Sequence, residues 1–246
     1  MTSFISSPNL PIKRIKTCMV SGQYQSVLDD LHGLMIDTIT VPPCSDLQVG
    51  VSCHADMICY HDGENKLIMY DYNDRLNRQL RDLGFELSFI DAKLQAEYPH
   101  DVVLNVAKVG DFVICNRKYT NCKALERIKA ENIISVAQGY AKCSTLVVDK
   151  NSIITSDISI ATGAKAHGLD VLQVECGYIA LEGYEYGFIG GCGTKIDEKS
   201  LYFTGDLSTH PNEKEIRSFL AKRGIEVICG SAKQLIDVGS ILPLLY

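Results

Sequence analysis

The chain is short of basic charge, of long apolar runs and of closely spaced cysteines, and each shortage removes a class of function. Lys and Arg number 24 against 30 Asp and Glu, a net charge of −6. Nucleic acid is thereby excluded as the main partner, because phosphate binding draws on surplus cations gathered on one face. The short basic run Lys13-Arg14-Ile15-Lys16 reads as a solvated strand flank. No uninterrupted apolar stretch is long enough to span a membrane, and Met1 to Pro11 lacks the charged and apolar regions of a secretion signal. None of the ten cysteines falls in a C-x-x-C pair, which removes the zinc knuckle and the thioredoxin-like motif. A cytoplasmic chain with reduced thiols, mostly buried as small apolar side chains, is the expectation.

What is present is the composition of an ordinary globular protein. The 246 residues are 46% hydrophobic and 22% charged, enough to bury a substantial core, and they are read as one domain over 1–246. Five segments read as an amphipathic helix followed directly by an apolar strand. The clearest starts at Asn212, an N-cap residue, with Glu213 and Glu215 at the positive end of the helix dipole. Ile216, Phe219 and Leu220 form its apolar stripe, Gly224 stops it, and Ile225 to Ile228 continue as a strand.

The same grammar recurs upstream. Asn73 opens a helix with Leu76, Leu80 and Leu83, stopped by Gly84 ahead of Phe85 to Phe89. Thr120 opens one with Leu125 and Ile128, stopped at Asn132 ahead of Ile133-Ile134. Asp157 opens one with Ile160, Ala161 and Ala164, stopped by Gly168 ahead of Leu169 to Leu172. Near the start, Val27, Leu28 and Leu31 precede Gly33 and a strand over Ile36 to Val41.

Four of these helices follow a pair of strands joined at a turn: Met57 to Tyr60 with Lys66 to Tyr70, Val103 to Ala107 with Phe112 to Cys115, Leu146 to Val148 with Ile153 to Thr155, and Lys195-Ile196 with Leu201 to Phe203. The first helix has one strand ahead of it, Ile15 to Val20. The missing partner is expected at Ile241 to Leu244, so that the C-terminus completes the N-terminal unit and removes the open sheet edges. The predicted architecture is a five-bladed α/β propeller of ββαβ units, its ring closed by the terminal strands.

In such a ring the linkers entering each hairpin converge on the axis. They hold Asp46 with Cys53-His54-Ala55-Asp56, Tyr98-Pro99-His100-Asp101, Gln138 to Cys143, the stretch from Glu175 to Cys192, and Lys233 with Asp237. With that repeat and those linkers the chain resembles the pentein superfamily of guanidino-modifying enzymes, which includes arginine and agmatine deiminases, dimethylargininase and amidinotransferases. The same fold is shared by a ribosome anti-association factor without catalysis. Catalytic members carry His-x-Asp or His-x-Glu ahead of a hairpin, as in His54-Ala55-Asp56, and a nucleophilic Cys after a glycine-rich turn, which Gly190-Gly191-Cys192 resembles. The loop Gly183 to Gly191 and the later Asp237-Val238-Gly239-Ser240 are more like an uncharacterised branch.

The resemblance implies His54 as general acid/base, Cys192 as nucleophile and Asp56 as partner of a guanidinium, with Glu182 and Glu185 adding substrate contacts. Asp46 belongs to the same substrate-binding set. Catalytic members place the Cys two repeats after the His, whereas Cys192 is three units on; counting repeats points instead to Cys143, with Asp237 as the acid. Both assignments stay open. So do two functions: a Cys-dependent hydrolase or transferase on a small guanidino or amidine compound, or a non-catalytic protein binding a small ligand or a partner through the same loops. Tyr178, Tyr184, Tyr186 and Phe188 suit either, as a lid over a cation or as a contact surface.

No cofactor is implied. The run Gly187 to Gly193 lacks G-K-[ST] and a following helix, so its glycines are read as allowing close backbone approach. A metal site from Cys53, His54, Cys59 and His61 has no recognised ligand spacing. His167, in a last helical turn, and His210, before Pro211, read as structural.

Overall fold

A computed structural model describes residues 3–126 and 132–246, and its strands group into five three-stranded sheets. Each sheet is built from one local rule: an apolar hairpin, then a helix that crosses back, then a strand parallel to the second. The complete units are β3 (Cys59–Gly63), β4 (Lys66–Met69), α3 (Asp74–Asp82) and β5 (Glu86–Phe89); β6 (Ala107–Val109), β7 (Phe112–Cys115), α4 (Cys122–Glu126) and β8 (Ile133–Ser135); β9 (Leu146–Asp149), β10 (Ser152–Thr155), α5 (Ile158–Ala166) and β11 (Asp170–Gln173); and β12 (Gly193–Lys195), β13 (Ser200–Phe203), α6 (Glu213–Ala221) and β14 (Glu226–Cys229). In all four the first two strands are antiparallel and the last two parallel.

The remaining unit joins the two ends of the chain. β1 (Thr17–Ser21), α1 (Gln25–Gly33) and β2 (Asp37–Val41) supply the parallel pair, and β15 (Leu242–Leu245) lies antiparallel to β1. The final strand thus takes the hairpin position that the N-terminal segment lacks. The first strands β6, β9, β12 and β15 lie beside one another in chain order, so these four sheets meet along their opening strands.

Local chemistry explains the helix ends. Asn73 and Asp157 accept the N–H of Leu76 and Ile160, as their positions predict. Gly84, Gly168 and Gly224 all take positive φ, the left-handed turn that carries the chain into the next strand. The hairpin strand expected at Val103 to Ala107 runs instead over Ala107–Val109, and α4 begins at Cys122, past the Thr120 read as its opening. Three further expectations need correcting. α1 runs through Gly33, and Met35 takes the left-handed conformation in its place. Asn212 precedes α6 without capping it, because its Oδ1 accepts the Glu175 N–H instead. Met57 and Ile58 belong to a short helix, α2 (Ala55–Ile58), so the hairpin strand begins at Cys59. Ile128 of the fourth helical pattern lies outside the described residues. No described helix is long and apolar enough to cross a membrane.

Candidate active site

Four of the five linkers that enter the first strand of a sheet deliver polar side chains to the same place. The linker before β3 carries His54 and Asp56 on the first turn of α2; that before β6 carries Asn105; that before β9 carries Lys142 and Cys143; that before β15 carries Asp237 and Ser240. All seven side chains are buried. The fifth linker, ahead of β12, contributes backbone: Gly190 and Gly191 sit where a Cβ would strike Thr145 O and Lys142 O in one case and the Asp237 carboxylate in the other. Gly239 is equally constrained, since a Cβ there would fall on the His54 ring. The close backbone approach expected of this glycine-rich loop is what the packing contains.

A chain of hydrogen bonds ties the linkers together. The Cys143 thiol donates to Asp56 Oδ2 at 3.0 Å. Ser240 Oγ lies 2.5 Å from that same oxygen and 3.1 Å from Gly190 O, and it accepts from Lys142 Nζ at 3.0 Å. Asn105 braces the arrangement: its Oδ1 accepts the N–H groups of Lys142 and Cys143 at 2.7 and 3.2 Å, while its Nδ2 lies 3.2 Å from the Cys143 sulfur. Asp237 accepts from Phe188 N at 2.8 Å and from Gly239 N at 2.9 Å. His54 is different. Both of its ring nitrogens, like Asp56 Oδ1, are buried without a hydrogen-bond partner among the described residues. A buried polar atom in that state costs about 1–3 kcal/mol and calls for an explanation.

Burial sets the charge states. It pushes the Cys143 thiol well above its ordinary value, and the carboxylates of Asp56 and Asp237 add to the effect, while the Asn105 hydrogen bond opposes it. Asp237 is raised by burial and by Asp56, against a lowering pull from His54. Burial lowers Lys142, with Asp56, Cys143 and Asp237 holding it up. Burial thus favours the protonated Cys143 thiol, and no Lys or Arg lines the open side of the site.

That open side is a cavity of about 200 Å³ lined by His54, Cys143 and Asp237, with Tyr140, Tyr184, Tyr186 and Phe188 as its aromatic walls. Tyr140 stacks on Phe188 with ring centroids 5.9 Å apart and donates to Asp101 Oδ2 at 2.5 Å. Glu185 stands at the rim, shared with a wider outer cleft that Glu182 lines. Asp46 does not line the cavity; it accepts the Tyr70 hydroxyl at 2.5 Å.

Cys192 lies elsewhere. It is fully buried within an apolar cluster with Leu146, Phe203 and Leu235, and its thiol turns back to Ile189 O at 3.3 Å. The glycines before it reach the axis, and the side chain after them turns into the core. Asn105, Lys142 and Ser240 are the members that sequence reading did not single out. The available signal was register: Asn105, Cys143 and Ser240 each stand two or three residues ahead of the first strand of a sheet.

His54, Asp56 and Cys143 are the one grouping of three or more His, Cys, Asp or Glu among the described residues able to share an ion, with potential ligand atoms all within 4.8 Å of one another. The set Cys53, His54, Cys59 and His61 does not assemble: His61 Nε2 engages Glu64 O, and Cys59 packs in the core. His210 Nδ1 accepts the Asn212 N–H and His167 Nδ1 meets Gly163 O, both structural as expected.

Five ββαβ units around a polar axis define the pentein fold, and solved structures agree. The chain resembles the inosamine-phosphate amidinotransferase StrB1 of Streptomyces griseus, with a TM-score of 0.61, 9% identity and 98% and 97% of the two chains covered. It also resembles the amidinotransferase SxtG of Microseira wollei from the saxitoxin biosynthetic pathway, with a TM-score of 0.58, 12% identity and coverage of 92% and 91%. For an agmatine deiminase of C. jejuni with substrate bound, the TM-score is 0.57 at 12% identity, covering 99% and 96%. The model of a family of unknown function, DUF6873, matches residues 19–242, and the chain belongs to that family. No curated protein sequence matches it at a significant level.

Proposed function

We propose that the protein is a thiol-dependent hydrolase or transferase acting on a small guanidino or amidine compound, with Cys143 as nucleophile. The observation that carries this reading is the grouping of Cys143, Asp56 and an unpartnered His54 within 4.8 Å of one another, with Cys143 and His54 lining one small cavity. The structural neighbours are guanidino-modifying enzymes, which supports the substrate class.

A planar cation entering the cavity meets the carboxyl of Asp237 and the rim carboxylate of Glu185, with aromatic faces around it. Its positive charge offsets the two carboxylates that hold the Cys143 proton in place, so thiolate forms more readily when substrate is bound. His54 takes the thiol proton. The sulfur then attacks the central carbon of the guanidinium, and His54 returns the proton to the departing amine as the C–N bond breaks. An amidino group is left on Cys143. Attack by water, or by an acceptor amine in a transferase, with His54 as base, releases the product and restores the thiol. Asn105, donating toward the sulfur, favours the thiolate at each turn. Cys192, enclosed in apolar side chains, takes no part.

The test is product analysis with a panel of guanidino and amidine compounds, wild type against Cys143→Ser, paired with labelling by a haloacetamidine. Turnover that falls by about a thousandfold in the variant, and a mass adduct on Cys143, support the reading. Compounds that bind without product or adduct replace it with a non-catalytic cation-binding role.

A further inference from the structure

An inner cavity of about 200 Å³ is smaller than the range of roughly 300–1,000 Å³ usual for whole-ligand pockets. It takes the reacting group and leaves the rest of the molecule outside. What lies outside is a second cleft of about 600 Å³ that shares Leu181, Tyr184 and Glu185 with the inner one. The chain builds it from the residues after β11 and from the segment ahead of β15. Tyr24, Tyr178, Thr209 and Gln234 bring neutral polar groups, and Glu182 and Glu185 bring carboxylates. No Lys, Arg or His lines this cleft.

The negative field reaches from the axis to the surface. Tyr24, on the outer wall, has its phenol raised first by burial and then by the charges of Asp237 and Glu182. A ligand reaching from the inner cavity into the outer cleft is therefore accompanied by Asp237, Glu185 and Glu182, and no Lys or Arg lines either cleft. An amino acid such as arginine would bring its α-carboxylate into that field and find nothing to pair with. An amine at the same end would find two carboxylates.

We propose that the outer cleft is a specificity subsite for a second positive charge, so that the preferred substrates are guanidinoalkyl amines and guanidino acids are rejected. This rests on the guanidino reading of the inner cavity and adds to it the identity of the distal group, with Glu182 and Glu185 as the residues that select it. Exposed ion pairs are individually weak, each worth about two- to fivefold in affinity. For a carboxylate isostere the sign reverses, so the amine-to-acid ratio is expected to reach about tenfold or more at low salt.

The experiment measures binding to the full-length Cys143→Ser protein by calorimetry, with 4-guanidinobutylamine, 4-guanidinobutanoate and methylguanidine as probes, and turnover of the same three by wild type. The amine should bind about tenfold tighter than the acid. Glu182→Gln and Glu185→Gln should each shrink that ratio about two- to fivefold, and Glu182→Gln, which lines the outer cleft alone, should leave methylguanidine binding within about twofold. Raising the salt should narrow the ratio as well. Equal binding of amine and acid, or a ratio that both glutamine variants leave intact, overturns the subsite. Methylguanidine turned over with no gain from the amine end sinks the subsite alone. Amine-selective binding without turnover of any compound sinks the catalytic reading and keeps the subsite, and no binding at all ends both.

Discussion

Cys143 donates its thiol to Asp56 across 3.0 Å, although the two residues stand 87 positions apart and arrive on different linkers. The Cys192 thiol instead donates to a carbonyl three residues before it. Long-range coupling through a carboxylate suits a reactive group, and a local bond inside an apolar cluster suits core packing. Cys143→Ser is expected to abolish turnover of guanidino compounds, whereas Cys192→Ala should lower the melting temperature by a cost of about 1 kcal/mol and leave kcat/KM within a few-fold. Parallel kinetics and thermal melts on the two variants decide it.

Glycine variants separate ordinary backbone strain from damage to the site. Gly224 and Gly239 share positive φ, at 66° and 70°, but Gly224 faces open space while a Cβ on Gly239 collides with His54. Gly224→Ala should cost about 1 kcal/mol, the left-handed penalty alone. Gly239→Ala should cost about 3 kcal/mol or more and displace the imidazole, with turnover lost even at temperatures where the variant remains folded. Equal effects of the two on stability would remove the claim that Gly239 makes room for His54.

The repeat was legible because its signals are local. N-caps at Asn73 and Asp157, glycine stops at Gly84, Gly168 and Gly224, and alternating strands announce themselves within a dozen residues, and even the closing strand could be inferred from a missing partner. The site was only half legible. His54 and Asp56 fit a pattern two residues apart, but the choice between Cys143 and Cys192 depends on which way a side chain leaves a linker, and no local spacing encodes that. Residue type did not mark Asn105 and Lys142, because asparagine and lysine are common in loops; their burial is what distinguishes them. Asp46 was grouped with the site by position; it accepts the Tyr70 hydroxyl and does not line the inner cavity.

Two buried carboxylates predict an unusual pH dependence. Burial raises both Asp237 and Asp101, and Asp237 is further influenced by Asp56 and His54 while Tyr140 donates to Asp101. A carboxyl whose folded value exceeds its unfolded value contributes stability that is complete below about 3.9 and is lost as the pH rises through the folded value. Denaturant melts of wild type and Asp237→Asn between pH 4 and pH 7 should therefore show wild type losing ground relative to the variant as pH rises. The opposite slope would mean that Asp237 is held as a paired anion.

Asn105 offers the sharpest test of how the thiol is tuned. It is fully buried, its oxygen holds the backbone of Lys142 and Cys143, and its amide nitrogen is the group that lowers the Cys143 thiol against burial and two carboxylates. Asn105→Asp keeps size and the backbone bonds but replaces the donor facing sulfur with an acceptor. The pH at which Cys143 reaches half its maximal rate of alkylation by a neutral haloacetamide should move upward, with the exposed Cys122, Cys176 and Cys229 unchanged as internal references. Asn105→Ala removes the acceptor too, leaving two buried N–H groups unpaired at about 1–3 kcal/mol each, so it should lose stability where Asn105→Asp mainly shifts reactivity. A structural role alone would destabilise both variants and leave the alkylation profile where it was, and that outcome would take Asn105 out of the chemistry.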